Sequence, residues 1–531
     1  MTKSLLEDRR MLWIAAGVTI LLFLMANLPW QLDDYDQAKQ AFTSFEMIKE
    51  GRWLYQQTPH QHVATKPPLV GWLSAGLFIL TRSWDVALRL PSLLAAIALS
   101  ILLFRCAASA YGSVAGLIAF SAFGLNLLSP RLATLVRTDM PLTFAVFLIG
   151  LLIWQKIQKE EVWKAQDRVY AFALLTVAML IKGPIVYAFL LPGIALFQWR
   201  TAVAGVGDPG PGDRATGAPR TAKRLQGAWC GWWPWIASLA AFLLWVIGGI
   251  LFMPGFFDEV VVREFVARFA ETVHRPQPLY FYLAHLLHKF APWSVLMIVL
   301  AVADLRSRKW RLLSVFRDMS PATFWLLCWS LGGLVVMSLI PSKRIDRIFP
   351  VIPPLCLLLA AQVGRRVPCS HGSVSRSSAN VDVGLIGHRP VATSNGAARS
   401  RIYRWSAAAL LLSIFFTGGY TISKVISGYR DHRDALAVFG REVRHEAEMH
   451  RWRYEIVSAK DEGLLLYLRK THFIEPDRAT AEWNAGNLDA LVASTQKAPA
   501  LMRDLRDVLV SQLKSNERNN ERGRAYVLIT R

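Results

Sequence analysis

Residues Asp36 to Trp72 read DQAKQAFTSFEMIKEGRWLYQQTPHQHVATKPPLVGW, a stretch of acids, bases and amides wedged between two hydrophobic runs. The run before it, Met11–Trp30, carries no charge. Its length of about 20 residues is enough for a helix to cross a bilayer. The run after it, Leu69–Leu80, is apolar for only about 12 residues, too short to span, and reads as interfacial or re-entrant. The polar stretch is therefore held at one membrane face, and the rest of the chain supports it there.

Composition agrees. The 531 residues are 53% hydrophobic, with a mean hydropathy of +0.31. Repeated uncharged runs exclude a soluble protein with one core and imply a polytopic α-helical membrane protein. A net charge of +22 would suit nucleic acid, but the Lys and Arg fall in loops, as expected where cytoplasmic loops are enriched in them. No nucleic-acid partner is expected. The five cysteines lie in or beside hydrophobic runs or in a basic loop, and no CxxC occurs. They indicate neither a disulfide framework nor a cysteine metal site. The first run lacks a small-residue cleavage site and reads as a retained anchor.

Lys3, Arg9 and Arg10 before the first run place the N-terminus in the cytoplasm and the Asp36–Trp72 stretch outside. Within it, Ala38, Ala41, Phe42, Phe45 and Ile48 recur at helical spacing until Gly51. This predicts an amphipathic helix lying on the membrane surface. Lys66-Pro67-Pro68 ends the stretch in an extended, rigid turn. Further spans are expected at 90–107, 113–129, 140–155, 169–182, 184–199, 232–252, 280–304, 322–340, 348–363 and 405–423. That makes 11 with the first, up to 13 if short helices also cross. With 11 spans the basic segments at 156–168, 200–228, 306–311 and 364–404 all fall inside. Residues 1–424 form the transmembrane domain, with outer loops at 31–89 and 253–279. Residues 425–531 form a small α/β domain on the outer side, with strands at Glu455–Ser458 and Ala525–Thr530 and helices at Asp461–Lys470 and near Ala500–Leu513.

This topology brings four polar clusters to the outer face: Asp36 with Lys66, Arg137 with Asp139, Arg268 with His274, and Lys343 with Arg347. Two carboxylates among several cations at a bilayer interface suit chemistry on a lipid-borne phosphate. The cations hold the phosphate and stabilise its charge as it leaves, while a carboxylate orients or deprotonates an acceptor hydroxyl. Interfacial Lys and Arg also snorkel to headgroups, and single acids beside them also serve as plain ion pairs. No P-loop or Rossmann fingerprint is present, which argues against an ATP-driven pump. No span contains a mid-bilayer acid, and the polar residues gather on one face instead of lining a path, which weighs against a lipid-linked-sugar flippase or other transporter. No metal-ligand cluster of convincing spacing is visible, so a divalent cation is the one cofactor left open.

At these residues the chain resembles the GT-C membrane glycosyltransferases that use polyprenyl-phosphate sugars, namely the bacterial aminoarabinose transferases of lipid A and the protein O-mannosyltransferases. The resemblance is carried by Asp36-Gln37, Met47, Gly51-Arg52-Trp53, Lys66-Pro67-Pro68-Leu69 and Trp72. It continues through Arg89-Leu90-Pro91-Ser92, Arg137-Thr138-Asp139 and Lys182-Gly183. Beyond these come Arg268-Phe269 with His274, Pro278 and Tyr282, then Pro292-Trp293-Ser294, and Ser342-Lys343 before Pro350. It implies a GT-C fold and transfer of a sugar from an undecaprenyl-phosphate donor to a lipid or glycan acceptor, or to protein. The active site would face the periplasm from the bacterial inner membrane. It implies that Asp36 is the principal catalytic carboxylate, Asp139 the second, and that Lys66 and Lys343 bind the donor phosphate; the outer-face clusters add Arg137, Arg268, His274 and Arg347 as further expected substrate contacts. Gln37 stands where the family has Glu, Thr65 where an acid often precedes the Lys, and Arg347 where lipid A transferases tend to have Tyr.

The loop charges generate a topology test. Cysteines introduced at 36–66, 258–275 and 430–531 should react with membrane-impermeant reagents from the periplasmic side. Labelling of 205–225 or 370–400 from that side would overturn the 11-span arrangement.

Overall fold

The computed structural model describes residues 6–32, 35–60, 62–205, 228–266, 277–311, 315–316, 318–366, 395–459, 462–515 and 525–531. The chain is predominantly helical. Six described helices are long and apolar enough to cross a membrane by length and composition: Leu90–Tyr111, Asp139–Lys159, Trp233–Phe252, Pro321–Leu339, Ile345–Gly364 and Ser400–Arg430. The spans expected at 11–30, 113–129, 169–182 and 184–199 coincide with the helices Arg9–Met25, Ser113–Gly124, Ala165–Lys182 and Ile185–Gly205, which that measure does not count. The span expected at 280–304 is not one rod. Helices Phe281–Lys289 and Trp293–Ser307 meet at 103°. Pro292, between them, has no N–H to carry a helical ladder through the corner. Helix Leu69–Thr81 is one of the shorter apolar helices, as are Ser113–Gly124 and Ile185–Arg200.

Packing among the long helices depends on small residues. Gly193 of the Ile185–Gly205 helix and Gly332 of Pro321–Leu339 let the two backbones touch. A Cβ on Gly332 would lie 2.5 Å from the Gly193 nitrogen, and a Cβ on Gly193 would lie 2.9 Å from the Trp329 Cα. Close backbone approach of this kind is how helices associate where lipid removes the hydrophobic drive. Around the contact, Trp325 donates its indole N–H to the Gly150 carbonyl at 3.1 Å, and the Trp329 ring covers Gly150 so closely that no Cβ would fit.

The helix expected from Asp36 runs Tyr35–Lys49, and Gly51 takes up the turn after it at φ +69°. Its apolar side does not rest on lipid as the amphipathic pattern suggests. Ala41, Phe42 and Phe45 are buried in a cluster with Leu436, Phe439, Leu464 and Leu465 from the C-terminal residues. The pattern specifies an apolar stripe and leaves open whether lipid or protein covers it.

Those C-terminal residues form a helix, Ala435–His450, and a four-stranded sheet with strands β1 (Tyr454–Ile456), β2 (Ala490–Ser494), β3 (Leu509–Lys514) and β4 (Tyr526–Thr530) in the order β1-β2-β4-β3. Strands β1 and β2 are parallel, and β4 runs antiparallel to both of its neighbours. Two of the sequence expectations are corrected here. The helix near 500–513 stops at Asp504, and Leu509–Lys514 is a strand because it pairs with β4. The helix expected over 461–470 is confined to Glu462–Tyr467.

The Gly193–Gly332 contact predicts that Gly332→Leu pries two core helices apart. Overpacking costs about 1–3 kcal/mol or more, so the detergent-solubilised protein should melt several degrees lower. An unchanged Tm would show that this contact does not set the helix spacing.

Candidate active site

Three segments far apart in the chain converge at the start of the Tyr35–Lys49 helix: the helix itself, the turn at 134–139, and the loop at 341–347. The turn is fixed from both sides. Ser92 donates its hydroxyl to the Leu135 carbonyl at 3.0 Å, and the Val136 amide donates to the Gln37 side-chain oxygen at 3.2 Å. This aims Arg137 between two acids. Its guanidinium lies 2.7 Å from Asp346 and 3.6 Å from Asp36, and the Asp36 carboxylate also accepts from Arg344. Arg131 stands 3.8 Å from the other oxygen of Asp346. Arg137 and Asp346 are both only about 6% exposed at their side chains, whereas Asp36 is 30% exposed and so is the acid of this network that faces open space.

Asp139 begins the Asp139–Lys159 helix, where the partial positive charge of the helix N-terminus favours a carboxylate. It accepts a hydrogen bond from Lys182 at the end of the Ala165–Lys182 helix. The chain then leaves Lys182 through Gly183 at φ +73°.

Lys66 arrives on a hairpin-like loop. Gln57 and Val63 bridge its two arms, and the Thr58 amide donates to the His62 carbonyl at 2.7 Å. Glu46 clamps the loop from the helix, accepting from the Gln57 amide at 2.7 Å and from Arg52 at 3.0 Å. Tyr55 pins its far side, donating to the Trp245 carbonyl at 3.0 Å. Lys66 itself makes no hydrogen bond or ion pair among the described residues, yet it sits in the electrostatic field of both Asp36 and Asp139. Burial pushes its ammonium down to about 8, despite those two acids. Burial acts the opposite way on Asp36, but Lys66, Arg344 and Arg137 outweigh it and hold that carboxyl below its usual range.

The expected clusters are thus brought together with different partners. Asp36 is near Lys66 but pairs with Arg344 and Arg137, and Asp139 pairs with Lys182 instead of Arg137. Lys343 donates to the Gln277 carbonyl at 2.9 Å, and Arg347 turns back to the Ser342 carbonyl at 2.8 Å, so these two do not contact one another. Arg268 and His274 lie outside the described residues. Sequence reasoning missed Arg344 and Asp346 as members of the network. The one available signal was an acid standing inside the basic run Lys343–Arg347. Among the described residues, no three His, Cys, Asp or Glu side chains gather in a way that could hold a metal ion.

Residues 65–204 match the family model described as dolichyl-phosphate-mannose-protein mannosyltransferase. The chain is 26% identical, over 65% of its length and 56% of the relative's, to undecaprenyl phosphate-alpha-4-amino-4-deoxy-L-arabinose arabinosyl transferase 1 of Sodalis glossinidius. It is 23% identical, over 58% of its length and 60% of the relative's, to the corresponding transferase of Pseudomonas savastanoi pv. phaseolicola. The chain therefore spans somewhat more than half the length of these curated relatives. Among solved structures, ArnT from Cupriavidus metallidurans bound to undecaprenyl phosphate superposes with a TM-score of 0.66 at 17% identity, covering 98% of this chain and 97% of that one. The fold is shared with this ArnT. The chain is a polytopic helical membrane protein that resembles the ArnT structure along nearly its whole length.

The buried Arg137–Asp346 pair yields a test of the network. Asp346→Asn keeps the shape but leaves Arg137 without its nearest counter-charge, which should cost about 3–5 kcal/mol. Asp36→Asn, at a more exposed position, should cost clearly less. Equal melting temperatures for wild type and Asp346→Asn would remove the pair from any structural role.

Proposed function

We propose that the protein is an integral-membrane glycosyltransferase of the bacterial inner membrane. It moves a sugar from an undecaprenyl-phosphate donor to an acceptor on the periplasmic side, by a single inverting displacement. The observation that carries this reading is Lys66, a cation free of hydrogen bonds and ion pairs among the described residues, in the field of two carboxylates at the mouth of a loop built to hold it. A buried ammonium of that kind is suited to a phosphate. The relatives' names and the undecaprenyl phosphate in the ArnT crystal supply the chemical class of the donor.

In the reaction, the acceptor oxygen attacks the anomeric carbon as the bond from that carbon to the phosphate oxygen breaks. The electron pair leaves with polyprenyl phosphate. Lys66 offsets the charge that grows on the departing phosphate. Lys343 has one of its three N–H groups on a backbone carbonyl, which leaves two for the same phosphate. Asp36 accepts the acceptor's proton or orients its oxygen. Its low proton affinity keeps it ionised across the physiological range. Asp139, tied to Lys182, adds negative potential that favours the charged form of Lys66. The sheet-containing residues 425–531 are a periplasmic domain that braces the helix carrying Asp36. A protein acceptor is the second reading, favoured by the mannosyltransferase family match.

Asp36→Asn separates catalysis from folding. Asn caps a helix nearly as well as Asp, so expression and melting should change little, while turnover falls about 10²–10⁴-fold if general-base help is lost. The assay is release of undecaprenyl phosphate from a labelled lipid-linked sugar, and wild-type turnover in a folded Asp36→Asn protein would transfer the role to Asp139.

Lys66 predicts a pH dependence. A lysine whose proton affinity is lowered loses its charge as pH rises through that lowered value, here about 8. The donor KM should accordingly climb above that pH. Lys66→Arg, charged at any accessible pH, should abolish the climb, and Lys66→Met should weaken donor binding by about 2–4 kcal/mol throughout. A flat donor KM across this range in wild type would exclude Lys66 from the phosphate site.

A further inference from the structure

Lys66 borders a cavity of about 10 Å³ between the Tyr35–Lys49 helix and the loop that ends at Pro68. That is room for one water molecule. The helix contributes Lys39, Gln40 and Thr43 to its polar lining, and the loop contributes Gln56, Thr65 and Lys66. One atom of this lining has no explanation within the fold. Gln40 is 5% exposed, and its side-chain oxygen, cut off from solvent, has no hydrogen-bond partner. A buried acceptor without a donor is destabilising and is rare in folded chains.

A water in this cavity has the partners it needs. Lys66 carries three N–H donors and uses none of them on a hydrogen bond or ion pair among the described residues. Gln40 offers its unpartnered oxygen. Thr43 donates its hydroxyl to the Gln40 backbone carbonyl at 2.9 Å, so the hydroxyl oxygen can still accept. One donor and two acceptors make up the set of about three hydrogen bonds typical of a buried water. Cavities that stay dry are lined by apolar groups, whereas this one has an ammonium in its wall.

We propose that the cavity holds one ordered water that joins the Gln40 side-chain oxygen to the Lys66 ammonium, which makes Gln40 a positioning residue for the phosphate site. Its role in phosphate binding rests on the glycosyltransferase reading; the water itself does not. The link takes up one N–H of Lys66 and leaves two for the donor phosphate, with the ammonium already aimed. An amide is the suitable group here. A carboxylate at position 40 would pair with Lys66 and compete with the phosphate, whereas an amide oxygen orients the ammonium without cancelling its charge. The other charged groups acting on Lys66 are Asp36 and Asp139, which favour its protonated form, and Lys182 and Lys39, which oppose it.

Two measurements on the full-length protein in nanodiscs test this. A density map fine enough to show waters should place one within about 2.5–3.2 Å of both the Gln40 oxygen and the Lys66 nitrogen. Binding of undecaprenyl phosphate, followed above neutral pH where its phosphate is already fully ionised, should weaken in the wild type as pH rises through about 8. Gln40→Leu nearly keeps the volume and removes the acceptor. The midpoint of the fall should then move about one pH unit lower, a tenfold shift in the proton equilibrium of Lys66. A glutamine with a purely structural role would change the melting temperature and leave that midpoint where it is. An unmoved midpoint in folded Gln40→Leu would overturn the positioning role. A map with no water between the two residues would overturn the link, whether or not the variant folds. If undecaprenyl phosphate binds no better than uncharged undecaprenol, the transferase reading fails and the role of Gln40 in binding fails with it, while the map still decides the water.

Discussion

The site depends on one constraint: charges brought out of water must be paired. Arg137 and Asp346 are almost wholly buried, and separating them would strand a charge at a cost of several kcal/mol. Their pairing therefore forces the turn after the Ser113–Gly124 region and the loop after the Pro321–Leu339 helix into contact. Asp36 completes the arrangement by accepting from Arg344 and standing 3.6 Å from Arg137. Three segments separated by up to 308 residues are locked by one network. The network also uses up the arginines. Lys66, which the hairpin brings in from the other side, is a cation without an ion pair among the described residues, available to a ligand in front of Asp36.

The C-terminal residues take part in the same positioning. The Tyr467 hydroxyl accepts a hydrogen bond from the Leu32 amide at 2.7 Å, just before the Asp36 helix. Gly463 sits so close to Leu32 that a Cβ would come within 2.7 Å of the Leu32 carbonyl. Phe42 and Phe45 are buried against Leu436, Phe439 and Leu464. The helix is thus held on one flank by protein, which gives its acid a defined position that a helix floating on lipid would lack.

Much of this was legible in sequence because it is local. Gly51 marks a helix end through its positive φ, Lys66-Pro67-Pro68 marks a rigid turn, and uncharged runs mark the long helices. What escaped is non-local. Nothing in the spacing of Asp36, Arg137, Arg344 and Asp346 announces which acid meets which base, and Asp139 was assigned to its neighbour Arg137 when its partner is Lys182, 43 residues on. The sequence pattern of Leu509–Lys514 does not distinguish its strand from a helix for the same reason. A short apolar run has no decisive period, and its identity is set by β4, on the far side of the sheet's last connection. The covering of the Asp36 helix by protein instead of lipid likewise depends on residues some 400 positions away, beyond any pattern within the helix.

The central claim is that Lys66 is held without a protein partner so that it can receive the donor's phosphate. The most direct measurement is ³¹P NMR of undecaprenyl phosphate titrated with the purified protein and with its Lys66→Met and Asp346→Asn variants. The account predicts a phosphorus shift that saturates with wild type, is lost with folded Lys66→Met, and persists with whatever Asp346→Asn protein remains folded. An identical saturating shift with Lys66→Met would contradict it.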